Sequence, residues 1–299
     1  MKAFVLGHPI EHSLSPALHH AVYDFLAVDI AYDRWDTTQD QLAARFGDVL
    51  EQEKICGYSV TMPLKKSIFD YMDQISPFAR RVGAINTVYF RDRGGRSLIM
   101  GHNTDVAGIV NALQESAESG KRYCRAAILG GGGTATSALM AFSELGVLEL
   151  DIYVRSVARA QAVRALGEKL DLPLNFLPLE DFAKAASTYD TVVSTLPAGA
   201  ADVFASQMSA SYHGVLLDVS YSPWPSELAE AWWRGAGQVI SGKEMLLYQA
   251  VEQVKFFTDS WDELSIEQEL ELLNYMARAI DLPDRQKAVS YTHLRAHET

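Results

Sequence analysis

Ala126-Ala127-Ile128-Leu129-Gly130-Gly131-Gly132-Gly133-Thr134-Ala135 is the stretch on which the reading of the fold turns. A short apolar run enters a row of glycines, and helical spacing follows from Thr134 to Leu145, where Gly146 ends it. That is a strand, a tight turn and a helix. In the spacing Gly130-x-Gly132-x-x-Ala135, the first glycine permits the turn and the second lets a ligand approach the backbone. The small third residue lets the helix pack on the sheet. The N-terminus of such a helix offers unpaired N–H groups and the positive end of the dipole, which suit a pyrophosphate. A glycine turn with no ligand would read the same way, so the stretch needs support from its surroundings.

The next strand supplies some. Asp151-Ile-Tyr-Val154 ends in Arg155-Ser156, with Arg159 one helical turn further on. An acid at the end of this strand would hold the ribose hydroxyls of NAD. An arginine can instead pair with the 2′-phosphate of NADP, which an acid would repel. The cofactor reads as NADP(H), and two arginines on a solvated turn are the alternative.

Outward from this point, short β-like runs alternate with helical patterns. Strands are expected at Ala3–Leu6, Ile30–Asp33, Gly57–Thr61, Thr87–Phe90, Ala126–Leu129, Asp151–Val154, Thr191–Ser194, Val215–Val219 and Gln238–Ile240. Such alternation favours parallel sheets with crossover helices. Ser15 followed by Pro16 predicts a capped helix start. Glu115–Arg122 reads as a loop. Two amphipathic helices, Lys243–Thr258 and Ile266–Ile280, are expected near the end. The stretch 286–299 loses helical periodicity and reads as a disordered or non-native tail.

At 299 residues the chain is long enough for two domains. Its net charge of −12 argues against general nucleic-acid binding, which needs a basic stripe. No run approaches the roughly 18 apolar residues of a membrane span. The first apolar run is broken by Gly7 and Pro9, too soon for a signal-peptide core. Cys56 and Cys124 make neither a disulfide framework nor a zinc pattern, and read as reduced thiols in a cytoplasmic protein. Histidines 8, 12, 19 and 20 lack regular ligand spacing, so no metal is expected.

Upstream of the glycine loop stand Lys65, in Val60-Thr-Met-Pro-Leu-Lys65, and Asp105, in Asn103-Thr-Asp105. A lysine can act as general acid or base, and a carboxylate can orient its ammonium and share the proton traffic. A surface lysine and a helix N-cap are the bland alternatives. Ser13 and Ser15 place two hydroxyls beside a helix N-terminus, a geometry that suits a small carboxylate.

Taken together and in order, these segments resemble shikimate dehydrogenase, over nearly the whole chain to about residue 282. The resemblance rests on Gly7-x-Pro9-Ile10-x-His12-Ser13-x-Ser15-Pro16-x-x-His19, Val60-Thr61-Met62-Pro63-x-Lys65, Gly83-Ala84-Ile85-Asn86-Thr87 and Asn103-Thr104-Asp105-x-x-Gly108. The glycine loop, Ser194-Thr195-x-Pro197, Asp218-Val219-x-Tyr221-x-Pro223 and Gly242-x-x-Met245-Leu246-x-x-Gln249-Ala250 complete it.

The resemblance implies an α/β fold in which an N-terminal open-sheet substrate domain and a Rossmann-like NADP-binding domain flank a cleft. The first would span 1–104, the second 105–245, and helices in 246–282 would return to the first. It implies reversible reduction of 3-dehydroshikimate to shikimate with NADP(H), Lys65 and Asp105 being the catalytic pair. Ser13 and Ser15 would hold the substrate carboxylate, and Thr61, Asn86, Asp105 and Gln249 the ring hydroxyls. Tyr221 would help close the pocket. Gly130, Gly131, Gly132, Gly133, Thr134, Ala135, Arg155, Ser156, Arg159, Thr195, Gly242 and Met245 would serve the cofactor. The expected partner is a small molecule, with no nucleic acid and no membrane, and a homodimer is compatible with the reading.

The chain departs from the family pattern in places. Ser59 stands where the family usually has Asn; serine is shorter and offers fewer hydrogen bonds, so one contact to a ring hydroxyl is lost or water-mediated. Val154-Arg155-Ser156 replaces Asn-Arg-Thr, keeping the arginine. A quinate dehydrogenase of the same family and a non-catalytic NADP-binding sensor are the rival readings.

Overall fold

The structure is a computed structural model. It describes residues 1–48, 54–94, 96–116, 123–208, 211–258, 261 and 264–287. The proposed tail lies outside the described residues from 288 onward. The chain divides into two compact units, Met1–Asp105 joined by Leu246 onward, and Val106–Met245.

The first unit contains β1 (Lys2–Gly7), α1 (Ser15–Phe25), β2 (Ala31–Asp36), α2 (Leu42–Asp48), β3 (Ile55–Val60), β4 (Gln74–Ile75), α3 (Pro77–Val82), β5 (Thr87–Arg93) and β6 (Arg96–His102). Its sheet has the order β2-β1-β3-β5-β6-β4. β1 runs parallel to β2 and β3, while β5 is antiparallel to both β3 and β6. The two-residue period of β3 sorts its side chains. Tyr58 and Val60 enter a core with Leu6, Leu64, Ile68, Ile85 and Val88. Gly57 and Ser59 lie on the opposite face.

The second unit contains α4, which opens at the boundary (Asp105–Ser116), β7 (Arg125–Leu129), α5 (Gly133–Glu144), β8 (Glu149–Val154), α6 (Gln161–Lys169) and β9 (Leu174–Pro178). It continues with α7 (Phe182–Ala185), β10 (Thr191–Ser194), α8 (Asp202–Ala205), β11 (Val215–Asp218), α9 (Glu227–Arg234) and β12 (Gln238–Ser241). All six strands are parallel, in the order β12-β11-β10-β7-β8-β9. Counted from β7 this is the 3-2-1-4-5-6 order of a doubly wound dinucleotide-binding sheet. Its switch point falls between β7 and β10, where the Gly130–Gly133 loop leaves the sheet.

α10 (Gly242–Phe257) and α11 (Ile266–Arg278) follow. On α10, Gln249, Gln253 and Phe257 recur every four residues and share one face. That face meets β3: a Cβ on Gly57 would come within 2.2 Å of the Phe257 ring. Only a glycine lets the helix approach the strand so closely.

Several details differ from the sequence reading. α1 begins at Ser15 itself, with Leu14 at the cap position and no side-chain cap. Ser15 is thus already helical, and its N–H donates to Ser13 Oγ at 3.3 Å. α4 runs on to Ser116, so Glu115 is helical rather than part of a loop, and residues 117–122 of that loop lie outside the described residues. β4, β6 and β9 had no counterpart among the expected strands. β9 is an edge strand ending in proline, and β6 lies mostly half-exposed, so neither carries a strong apolar alternation.

Candidate active site

Three backbone links fix the place of Lys65. Leu64 N–H donates to Thr61 O, Ile85 N–H donates to Lys65 O, and Val60 N–H donates to Asn86 O. The turn after β3 is thereby tied to the segment that leads into β5. Lys65 Nζ donates to Asp105 Oδ2 at 2.5 Å. The lysine side chain retains 14% exposure and the aspartate 4%, so the pair is shielded but reachable from one side. Asp105 is the first residue of α4, where the helix dipole favours a carboxylate. Its side chain turns to Lys65 and Asn86.

Asn86 is the hub. Its Nδ2, which carries two hydrogens, faces three acceptors: Asp105 Oδ1 at 2.8 Å, Thr104 Oγ1 at 2.9 Å and Gln249 Oε1 at 3.2 Å. Its Oδ1 accepts from Thr104 N–H and from the Thr87 hydroxyl, each at 2.8 Å. Asn86, Thr87, Thr104, Asp105 and Gln249 are all buried. A buried polar cluster is tolerated only when its groups satisfy one another, as these do. The arrangement can hold a hydroxylated ligand beside a lysine–carboxylate pair able to exchange a proton.

Ser59, also buried, accepts from the Tyr32 hydroxyl at 2.6 Å and donates to Gln253 Oε1 at 2.6 Å. Burial holds the Tyr32 hydroxyl strongly in its protonated form. Ser13 and Ser15 sit at the start of α1, both buried. The Arg34 guanidinium fixes the loop by donating to Ser13 O at 2.6 and 3.1 Å. Thr61 N–H donates to Leu6 O, and its methyl packs under Gly7. Of the nearby histidines, His19 is fully buried and stacked on Tyr32 at 3.9 Å, and burial holds its pKa down to about 3. His8 Nδ1 lies 3.0 Å from Asp36. Among the described residues no group of three His, Cys, Asp or Glu side chains is placed to hold a metal ion.

The second unit carries the other set. Gly130 has φ +112, a conformation that other residues adopt only under strain, and a Cβ there would strike Thr195 Oγ1 at 2.4 Å. Thr195 in turn donates from Oγ1 to Leu129 O at 2.8 Å, so the loop and the end of β10 brace each other. A Cβ on Gly131 would meet Ala160 at 2.8 Å, whereas one on Gly132 would meet nothing within 4 Å. Gly132 thus leaves the backbone open at the N-terminus of α5, which has no side-chain cap. Thr134 and Ala135 lie in the first turn of that helix. Arg155 and Arg159 are exposed, Ser156 is half-buried between them, and neither arginine is paired with a carboxylate among the described residues. The open N–H groups and the two unpaired guanidinium groups fit a phosphorylated dinucleotide. Gly242 packs its backbone on Val219, where a Cβ would come within 2.1 Å of the carbonyl oxygen, and Met245 follows, buried, in α10. Tyr221 lies half-buried in the segment after β11.

The structure therefore joins Lys65, Asp105, Asn86 and Gln249 through direct hydrogen bonds and links Ser59 to them through Gln253. It gathers the glycine loop, Thr195 and the two arginines within the second unit. Tyr32, Arg34, Thr104 and Gln253 were not singled out from sequence. Gln253 had a local signal, since it lies four residues beyond Gln249 on a helix. Tyr32 and Arg34 had none.

Residues 5–88 match the family model described as the shikimate dehydrogenase substrate binding domain. A shikimate dehydrogenase (NADP(+)) of Bacillus cereus (strain B4264) is 31% identical over 259 residues, covering 85% of this chain and 91% of that protein. The chain belongs to the shikimate dehydrogenase family. It also matches the pentafunctional AROM polypeptide of Yarrowia lipolytica at 31% identity, spanning only 16% of that protein's length. Among solved structures, the shikimate dehydrogenase of Mycobacterium tuberculosis superposes with a TM-score of 0.78 at 34% identity, covering 93% of this chain and 98% of the other. The Thermus thermophilus enzyme in complex with NADP(H) and shikimate gives 0.75 at 27% identity, with 93% and 99% covered.

Proposed function

We propose that the protein catalyses the reversible, NADPH-dependent reduction of 3-dehydroshikimate to shikimate, a step of aromatic amino-acid biosynthesis. The observation that carries this reading is the shielded Lys65–Asp105 pair held by Asn86 in a chain of this family. When bound, NADPH supplies the hydride that the ketone carbon accepts. The Lys65 ammonium donates a proton to the developing alkoxide, and the Asp105 carboxylate keeps that ammonium aligned. In the oxidative direction the same pair takes the hydroxyl proton away.

Asn86 and Gln249 offer amide groups to ring hydroxyls, and Thr61 adds a hydroxyl. Ser13 and Ser15, at the start of α1, suit the substrate carboxylate. Tyr221 completes this set. The glycine loop and the uncapped N-terminus of α5 would hold the pyrophosphate, and Arg155 and Arg159 the 2′-phosphate, with Ser156, Thr195, Gly242 and Met245 completing the cofactor set. The retained proton-transfer pair argues against a non-catalytic sensor. A cytoplasmic location goes with this reading and with the two free cysteines. A homodimer is compatible with this reading, and light scattering would decide between it and a monomer.

The test is steady-state turnover of shikimate and of quinate, each with NADP+ and NAD+. Shikimate with NADP+ should be the preferred pair. Lys65→Ala should lower kcat by about 10²–10⁴-fold with a smaller change in KM. A near-normal kcat in that variant would sink the assignment.

A further inference from the structure

The hydrogen bonds that fix Asn86 continue past the residues assigned above, and they end on Gln253. Its Nε2 donates to Asn86 O at 3.0 Å and to Thr87 Oγ1 at 3.2 Å. The Thr87 hydroxyl passes its own proton to Asn86 Oδ1. With Thr104 N–H also on that oxygen, the Asn86 amide has only one workable orientation, and its Nδ2 must face Asp105. Gln253 therefore acts on both the backbone and the side chain of the hub. At 1% exposure it is as buried as Asn86, and both hydrogens of its amide are used.

The other end of this amide explains Ser59. A serine hydroxyl has one proton, and that of Ser59 goes to Gln253 Oε1. It has no proton left for a ring hydroxyl. The serine is also shorter than the Asn usual in the family, and the Gln253 side chain reaches from α10 to meet it. The register of the fold makes this possible. Ser59 shares a sheet face with Gly57, which receives Phe257, and Gln253 lies one helical turn before Phe257 on α10. Ser59 is also paired across the ladder with Thr87, the second residue that Gln253 holds.

We propose that Gln253 is a positioning residue for the Lys65–Asp105 pair, and that its side chain takes from α10 the space that a longer side chain at position 59 would take from β3. Ser59 and Gln253 thus work as one unit, and Ser59 is not an independent donor to the substrate. The inference rests on the dehydrogenase reading above.

Three variants test it: Gln253→Ala, Ser59→Asn and the double variant, each assayed for kcat, KM for shikimate, KM for NADP+, the pH profile of kcat and Tm. Gln253→Ala removes the donor to Asn86 O and to Thr87 Oγ1, loosens the support behind the Asn86 amide, and leaves the Ser59 proton without an acceptor. Its kcat should fall about 5- to 100-fold, the range expected when buried polar groups lose a partner. The alkaline limb of the pH profile should move while KM for NADP+ stays constant. Ser59→Asn alone crowds a filled site and should also lose activity. The double variant fills that space from β3 instead, and its kcat should return to within about threefold of wild type.

A residue with a merely structural role would lower Tm without moving the pH profile, and the losses of the two single variants would then add. Additive losses, or an unchanged kcat and pH profile in Gln253→Ala, overturn the proposal. If Gln253→Ala does not fold, the double variant decides alone, and an inactive double variant counts against. Absence of shikimate turnover in the wild type defeats the dehydrogenase reading and this inference with it. An active wild type with additive variants defeats only the inference.

Discussion

Asp105→Asn preserves shape and removes charge, and the surrounding hydrogen bonds set its cost. Both carboxylate oxygens accept hydrogen bonds, Oδ1 from Asn86 at 2.8 Å and Oδ2 from Lys65 at 2.5 Å. An amide has one acceptor oxygen. If it is turned toward Lys65, its NH2 group faces the Asn86 amide. If it is turned the other way, the NH2 group faces the ammonium. Asn86 cannot rotate to relieve the clash, because its own oxygen is held by Thr87 and Thr104. One charge-assisted hydrogen bond in a buried site is lost whichever way the amide turns, at about 2–3 kcal/mol. At about 1.36 kcal/mol per decade this lowers kcat roughly 30- to 150-fold, and the lost share in proton transfer adds to it. The assay is steady-state oxidation of shikimate with NADP+, with Tm measured alongside. KM for NADP+ should stay within about twofold, since the groups assigned to the cofactor lie in the second unit. A kcat within about threefold of wild type would refute the reasoning.

Arg155→Asp places a carboxylate where the 2′-phosphate is expected, and the ratio of kcat/KM for NADP+ over NAD+ should fall about tenfold or more; an unchanged ratio would move the phosphate contact to Arg159. Gly130→Ala combines a φ of +112 with a contact of 2.4 Å to Thr195 Oγ1, so it should destabilise the protein by about 2–3 kcal/mol, read as a lower midpoint in denaturant. Glu144 is partly buried at the end of α5, both its oxygens lack a hydrogen-bond partner, and burial raises its pKa from 4.5 to about 7. The folded protein therefore keeps a proton there that the unfolded chain releases above pH 4.5, so stability falls as pH rises to about 7 and stays lower beyond. Glu144→Gln should raise stability at pH 8 by about 1–2 kcal/mol, partial exposure reducing the effect, with no gain near pH 4; an equal gain at both would refute the assignment.

How much of this was legible in the sequence depended on the range of the interaction. The glycine loop, its strand and its helix form one contiguous segment, and their periodicities and turn chemistry are local properties. The alternation around them was enough for the parallel sheet of the second unit, but not for the antiparallel β5 of the first. β6 and β9 escaped because their apolar periods are weak, one lying mostly half-exposed and the other at an edge and ending in Pro178. Ser15 illustrates a smaller shift: the serine and proline marked a helix start correctly, but the chain enters the helix one residue earlier and the cap falls on Leu14.

By itself, then, the sequence determined the class of fold, the two-part organisation and the residue types of the site, because each is written in short windows or in motifs at set spacings. Tertiary structure decided what those residues touch. Ser59 and Gln253 lie 194 positions apart and share a hydrogen bond of 2.6 Å. No periodicity encodes such a pair. It exists because a glycine at 57 lets α10 settle on β3, and because a buried amide and a buried hydroxyl, shut away from water, must satisfy each other.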